Sequence, residues 1–338
     1  MKTLLASLLF FGLLATHVHA KILTVSNVAG SKAMYTNPQL AIDATTVGDT
    51  VFLHASATSY SDVTIKRRIV LMGEGGKPNY TGVTSRVGTV TIDSLEGVKV
   101  SGTIVVGIHM NYLYLDNNYN RGVKGVVIKN CYIDYSANIG GSGHIIANNI
   151  MYSCYGLGSN TTFSNNIVKL SVGNGTNCVI MNNVFISGSG NYSFYSLSNC
   201  SIVNNIIIHA LTAISTSYPG VGNAYSKNIQ AGTDLPTGNF KGIQPLDVFS
   251  ETTILASMSS AQFLTARWTQ LTTSEGKNAG TDGKDVGVYG GSFSWPSNKV
   301  FNGDPGLPQI TSSEIQNAVI APNGTLLVNF KAKSAKTK

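Results

Sequence analysis

Asn148-Asn149-Ile150, Asn165-Asn166-Ile167, Asn182-Asn183-Val184 and Asn204-Asn205-Ile206 are four copies of one pattern, two asparagines followed by an aliphatic residue. Degenerate copies flank them at Met110-Asn111-Tyr112, Lys129-Asn130-Cys131 and Lys227-Asn228-Ile229. Taking the asparagine before the apolar residue as reference, the steps from Asn111 are 19, 19, 17, 17, 22 and 23 residues. Three residues before the reference lie Ile108, Val127, Ile146, Phe163, Ile180, Ile202 and Tyr225. One residue after it lie Tyr112, Cys131, Ile150, Ile167, Val184, Ile206 and Ile229. Chance would not keep both columns apolar through seven copies when only 43% of the chain is hydrophobic.

A period near twenty suits leucine-rich repeats or a parallel β-helix. The recurring residues are Ile, Val, Phe and Tyr, which favour strands, and the segments are too short for a strand plus a helix of several turns. The expected fold is therefore an all-β coil of short parallel strands, each rung stacked about 4.8 Å above the last. The asparagines fit the corners, because Asn tolerates a left-handed backbone and its stacked amides hydrogen-bond along a ladder. The column two past the reference (Leu113, Tyr132, Met151, Val168, Phe185, Ile207) is apolar too, beside a column that already is. A strand should alternate. These six side chains should not face water bare, and a loop, residues 240–275 or the C-terminal tail is expected to cover them.

Composition agrees. The 338 residues include 36 Gly and 31 Asn, only 12% are charged, and the mean hydropathy is +0.11. Such a chain buries enough apolar surface to fold, which excludes disorder, and its abundance of turn residues argues against a helical protein. The formal charge of +7 is spread thinly, with one tight basic run at Lys66-Arg67-Arg68 and a tail carrying Lys331, Lys333, Lys336 and Lys338.

Two further stretches extend the pattern. Gln39-Leu40-Ala41-Ile42-Asp43-Ala44 precedes Gly48-Asp49-Thr50-Val51-Phe52-Leu53, and Val63-Thr64-Ile65-Lys66 with Ile69 to Gly73 follows. Asn278 to Gly291 is a Gly- and Asp-rich run. With the repeat, these make the chain resemble the right-handed parallel β-helix proteins of the pectin lyase-like superfamily, in particular an uncharacterised exported bacterial branch. The resemblance covers most of residues 22–295. It implies a short N-terminal capping helix, a first rung closed by residue 73 and a closing segment at 278–291.

Residues 1–20 form an expected signal peptide: Lys2, an apolar run from Leu4 to Ala15, then Val18-His19-Ala20. The β-helix domain is assigned to 21–295, and 296–338 to a linker and C-terminal β-hairpin or tail, with Pro322-Asn323-Gly324 as the turn. A short helix or an excursion from the coil is expected within 240–275. The protein is expected to be secreted, periplasmic or on the cell surface, as a monomer without a membrane span. Nucleic acid is excluded as a partner by export; a polysaccharide or cell-surface glycan is the expected one.

The resemblance supplies chemical templates. Polygalacturonase-like hydrolases carry Asn-Thr-Asp, Asp-Asp and Gly-His-Gly motifs, because glycosidic cleavage needs paired carboxylates. Here no Asp-Asp pair exists, and Gly143-His144 is an isolated fragment. Pectate lyase-like enzymes need a basic residue beside Ca²⁺ held by acids. The nearest set is Arg121, Lys124 and Lys129 as catalytic candidates, with Asp116 and Asp134 as metal ligands expected near one corner. No other cofactor is expected. Tyr119, Tyr135 and Tyr155, in a Tyr-rich stretch from 112 to 155, are carbohydrate-binding candidates. Cys178 and Cys200 should stack in adjacent rungs, as a disulfide or as buried thiols; Cys131 and Cys154 fall in other columns. His109, His144 and His209 share no column, and each reads as a local hydrogen-bonder.

Two functions from different classes follow. One is an exported carbohydrate-associated β-helix protein that binds or scaffolds. The alternative is a polysaccharide lyase acting on a uronate-containing polymer by Ca-assisted β-elimination. A purely structural rod is a third possibility.

Overall fold

The computed structural model describes residues 20–75, 83–93, 97–116, 121–186, 192–208, 212–249, 270–295, 309–315 and 328–333. Its described strands form a parallel β-helix. A ten-stranded sheet runs from Ile22–Val25 to Ala224–Ser226, and a thirteen-stranded sheet lies against it, both with every pairing parallel. The helix Pro38–Asp43, capped by the Asn37 side chain, buries Ala41 and Ile42 at the N-terminal end, as the resemblance implied. The strands Gln309–Ile315 and Val328–Lys333 pair antiparallel. The expected signal peptide up to residue 19, the turn at 322–324 and all of 250–269 lie outside the described residues.

Each rung has three faces. The ten-stranded sheet supplies the first. Its inward column is Leu23, Val51, Leu71, Val105, Ile128, Ile146, Phe163, Ile180, Ile202 and Tyr225, paired rung to rung. The thirteen-stranded sheet bends into the other two. On the second face Met110, Ile133, Met151, Val168, Phe185 and Ile207 stack inward; on the third, Leu113, Ala137, Cys154, Val172 and Phe194 do. Two or more residues separate these columns along each rung, so the backbone turns a corner between them. All these columns meet in one core, with nearly every member fully buried.

The corner between first and second faces explains the asparagine pairs. Asn148, Asn165, Asn182 and Asn204 all have φ of 56° or 57°, in the left-handed region. The second asparagine of each pair turns inward and builds a ladder. Asn183 Oδ1 accepts from the Asn166 backbone N–H at 2.8 Å and from Asn166 Nδ2 at 3.1 Å. Its Nδ2 donates to the Phe163 carbonyl at 2.9 Å and to Asn205 Oδ1 at 3.0 Å. The same links run from the Cys131 amide through Asn149, Asn166, Asn183, Asn205 and Asn228 to Asn239. Buried amides so fully paired meet the hydrogen-bonding demand of the interior.

The repeat register needs correction at two rungs. Asn130, with φ of 54°, aligns with Asn148 and not with Asn149; Cys131 and Ile108 occupy the ladder slot, as their carbonyls show by accepting from Ile150 and Tyr132. Asn111 lies on the second face. A neighbouring Asn at each of these rungs mimics the pattern, while a thiol and an aliphatic side chain fill the slot.

The double apolar column resolves accordingly. Met151, Val168, Phe185 and Ile207 point into the core, as does Leu113 on the third face. The neighbours Ile150, Ile167, Val184, Ile206 and Ile229 point outward, joined there by Tyr132. They are buried beneath Val248, Phe249, Val286, Val288 and Trp295. The covered ridge is thus the neighbouring column and, Tyr132 apart, not the one expected; its cover is the end of 240–249, inside an expected segment, and a strap of residues 276–295, which was not expected to supply it. The first asparagines of each pair grip this strap. Asn165 Nδ2 donates to the Val288 and Gly290 carbonyls, Asn182 Nδ2 to Gly287 and Asn148 Nδ2 to Phe293, while Asn204 bonds Thr281.

The two asparagines of one pair should therefore respond differently to substitution. Asn183→Ala leaves several buried donors and acceptors unpaired and should cost about 3 kcal/mol or more. Asn182→Gly keeps the left-handed backbone and loses one strap bond, for about 1 kcal/mol. Urea unfolding of both variants checks this, and equal losses would contradict the division of labour.

Candidate functional site

The outward column of the second face changes character along the rod. Its rungs read Arg86, His109, Tyr132, then Ile150, Ile167, Val184, Ile206, Ile229 and Phe240. The aliphatic part lies under the strap, and Trp295 closes that end by donating its indole N–H to the Asn165 carbonyl at 2.7 Å. Below it the column is polar. Asp134 Oδ2 accepts from Arg86 Nη2 at 2.7 Å and from His109 Nε2 at 3.0 Å. A carboxylate only accepts, so Nε2 carries the proton, and His109 Nδ1 takes the Thr84 hydroxyl at 3.1 Å. Arg86 Nη2 also donates to Asn111 Oδ1 at 3.0 Å. Burial pushes the Asp134 carboxyl up, but the His109 hydrogen bond and the Arg86 charge outweigh it and hold the carboxyl below its ordinary value.

Tyrosines gather where the second face bends into the third. The Tyr112 ring stacks on Tyr135 at 5.0 Å and 21°, and lies 6.0 Å from the nearly parallel Tyr114 ring. One rung above Tyr135, Lys169 Nζ sits 5.4 Å over the Tyr152 ring. Further along, Tyr155, Leu170, Ser171, Tyr192 and Tyr195 line a groove of about 310 Å³. Gly173 permits this groove. A Cβ there would meet the Tyr195 ring at 2.4 Å, so the ring lies flat on the glycine. The Tyr195 hydroxyl then reaches the Tyr155 carbonyl at 2.9 Å, and burial raises the Tyr195 phenol above its ordinary value. Tyr135 and Tyr155 remain 53% and 47% exposed, which leaves ring faces open to solvent.

The residues expected from sequence are dispersed. Asp116 is 2% exposed, with φ of 49°; its oxygens accept from the Arg121 and Val123 amides at 2.8 and 3.3 Å. Arg121 Nη1 contacts both carboxylate oxygens of Asp93 at 3.1 Å. Lys124 is exposed at the corner returning to the first face, and Lys129 Nζ sits 5.7 Å from the Phe293 ring beside the strap. Asp134 bonds to Arg86 at the level of Asn111, five residues from Asp116, which is roughly 16 Å along a strand. The two aspartates do not converge, and their oxygens are engaged by amides or cations, so this donor set does not fit Ca²⁺. Among the described residues no group of three or more His, Cys, Asp or Glu is placed to hold a metal ion. Tyr135 and Tyr155 do lie in the aromatic region; Tyr119 and His209 lie outside the described residues. Sequence reasoning missed Arg86, Tyr192 and Tyr195; it read His109 as a local hydrogen-bonder, as it is, without its partners Asp134 and Thr84. The corrected register at Asn111 pairs Arg86 with His109 and would have exposed Arg86; Tyr195 needed the separate pairing of Gly173 with Tyr195.

Comparison with protein-family models and with curated proteins found no match. Among the described residues no helix is long and apolar enough to cross a membrane.

His144 sits at the returning corner, 1% exposed, where its Nδ1 accepts the Val126 amide at 3.1 Å and its Nε2–H donates to the Gly140 carbonyl at 2.9 Å. Burial lowers its pKa to about 4, against smaller opposing effects of the Gly140 bond and Asp116. The neutral ring therefore stabilises the fold fully above the unfolded value of 6.5, and that contribution is lost as pH falls from there toward 4. Over this window the folded state should lose about 3 kcal/mol relative to a His144→Gln variant, because the unfolded chain takes up the proton first. Urea midpoints at pH 7 and pH 4 check it; parallel pH profiles would refute it.

Proposed function

We propose that this is an exported glycan-binding β-helix protein of the pectin lyase-like kind, and that the tyrosine-lined corner is where it holds carbohydrate. The observation that carries the reading is the run of Tyr112, Tyr114, Tyr135, Tyr155, Tyr192 and Tyr195 along one outer corner, with Tyr135 and Tyr155 half-exposed and a groove at its far end. Sugar rings present C–H faces that stack on tyrosine, and phenol hydroxyls add hydrogen bonds. A rigid stack of rungs fixes these rings before any ligand arrives, which reduces the entropy lost on binding. Lys169, over the Tyr152 ring, favours a glycan that carries acidic groups.

The lyase alternative asks for a free base beside a cation site. Arg121 is committed to Asp93, and Asp116 and Asp134 stand apart, so the geometry favours binding.

The test uses a glycan array followed by titration calorimetry with the full chain. Tyr135→Ala and Tyr155→Ala should each weaken binding about tenfold, equivalent to about 1.4 kcal/mol per lost stacking contact, with unfolding midpoints little changed. Parallel incubation with pectate, alginate and glycosaminoglycans plus Ca²⁺, followed by ultraviolet absorbance, should show no unsaturated product. Turnover abolished by Arg121→Ala or Lys124→Ala would replace the binding reading with the lyase.

A further inference from the structure

Cys178 and Cys200 are direct neighbours in consecutive rungs. Val179 pairs with Ser201, so the residues before them face each other across one rung spacing. That spacing, about 4.8 Å between Cα atoms, lies inside the range a disulfide spans. The Cys178 amide donates to Cys200 Sγ at 3.3 Å, and both side chains are almost wholly buried. The slot is a ladder position like that of the asparagines: in the next rung Asn223 Oδ1 takes the Cys200 amide at 2.9 Å. Cys131 and Cys154 differ. Each is stacked on no other cysteine, and burial pushes both thiols up to about 12.

We propose that Cys178 and Cys200 form an oxidisable pair, joined as a disulfide in an oxidising compartment, which staples together the two rungs that carry the tyrosine groove. Gly173 and Tyr195, the floor and the ring of that groove, are themselves a paired position, each five residues upstream of one of these cysteines. The bond forms as the chain folds, before burial closes over the pair, by exchange with a small-molecule or protein disulfide. The Cys200 thiolate attacks one sulfur of the oxidant and expels a thiolate; the Cys178 thiolate then displaces the second and closes the bond. Two electrons pass to the oxidant, and the two thiol protons leave with the two thiols it becomes. Cys200 is the attacking group because the Cys178 backbone N–H donates to its sulfur at 3.3 Å, which favours the thiolate there. The pair stands on its own geometry and does not rest on the glycan reading.

The experiment uses the full chain refolded from urea in glutathione and glutathione disulfide, then denatured and alkylated without reduction. Mass spectrometry should find Cys131 and Cys154 alkylated and one cross-linked peptide joining Cys178 to Cys200, with four alkylated cysteines after reduction. Four alkylated cysteines before reduction, or a cross-link between any other two, overturns the proposal. The staple closes a span of 22 residues, so reduction should lower the thermal midpoint by roughly 5–10 °C. The same treatment should leave Cys178→Ser unmoved. An equal shift in that variant, or none in the parent, refutes the stapling role.

Discussion

The fold depends on how buried amides are satisfied at one corner of the rung. A β-helix must turn its backbone sharply several times per winding, and each turn removes peptide groups from regular sheet pairing. Left inside the core unpaired, each such group costs about 1–3 kcal/mol. The inward asparagines solve this by acting as side-chain copies of the peptide bond. Each continues the hydrogen-bond column through the corner, where the strands on either side are only two or three residues long. The outward asparagines solve the other half, by holding the left-handed backbone that the turn demands. At Gly107 and Asn130, ahead of Ile108 and Cys131, the left-handed residue turns the corner without an inward asparagine.

This constraint decides what the rest of the surface can be. Because the turn is settled by polar residues, the second face is free to carry aliphatic side chains on both sides. The inward set joins the common core and the outward set forms a second, smaller one beneath the strap. Where the strap no longer covers it, the same outward column becomes Tyr132, His109 and Arg86, and the polar cluster around Asp134 replaces burial. Site and scaffold are therefore one column read at different heights. The tyrosines at the next bend exploit the extra residues that the bend requires: Asp134 and Tyr135 lie in the register shift between Met110–Ile133 and Tyr112–Ser136.

Much of this was legible in the chain. The parallel coil, the stacked cysteines and the need for a cover over an apolar ridge follow from periodicity and residue type; the capping helix follows from the resemblance. Which of two adjacent apolar columns faces out did not, because both are aliphatic and parity alone had to decide. The register at Asn111 and Asn130 misled for a related reason: those asparagines stand three positions past, or one before, a ladder slot filled by Ile108 or Cys131. That slip hid the alignment of Arg86 with His109. The expected convergence of Asp116 and Asp134 failed because offsets counted from misplaced references put two aspartates together that belong to opposite ends of a strand.

The strap has one more implication. Its docking points are four outward asparagines drawn from four successive rungs, and the partners lie from 77 to 145 residues away in the chain. No single rung offers enough of them to hold it. The segment can lock down only on a stack already wound to the correct pitch, so it acts as an inspector of workmanship. A coil that has skipped a winding presents its amides at the wrong heights and stays unlatched.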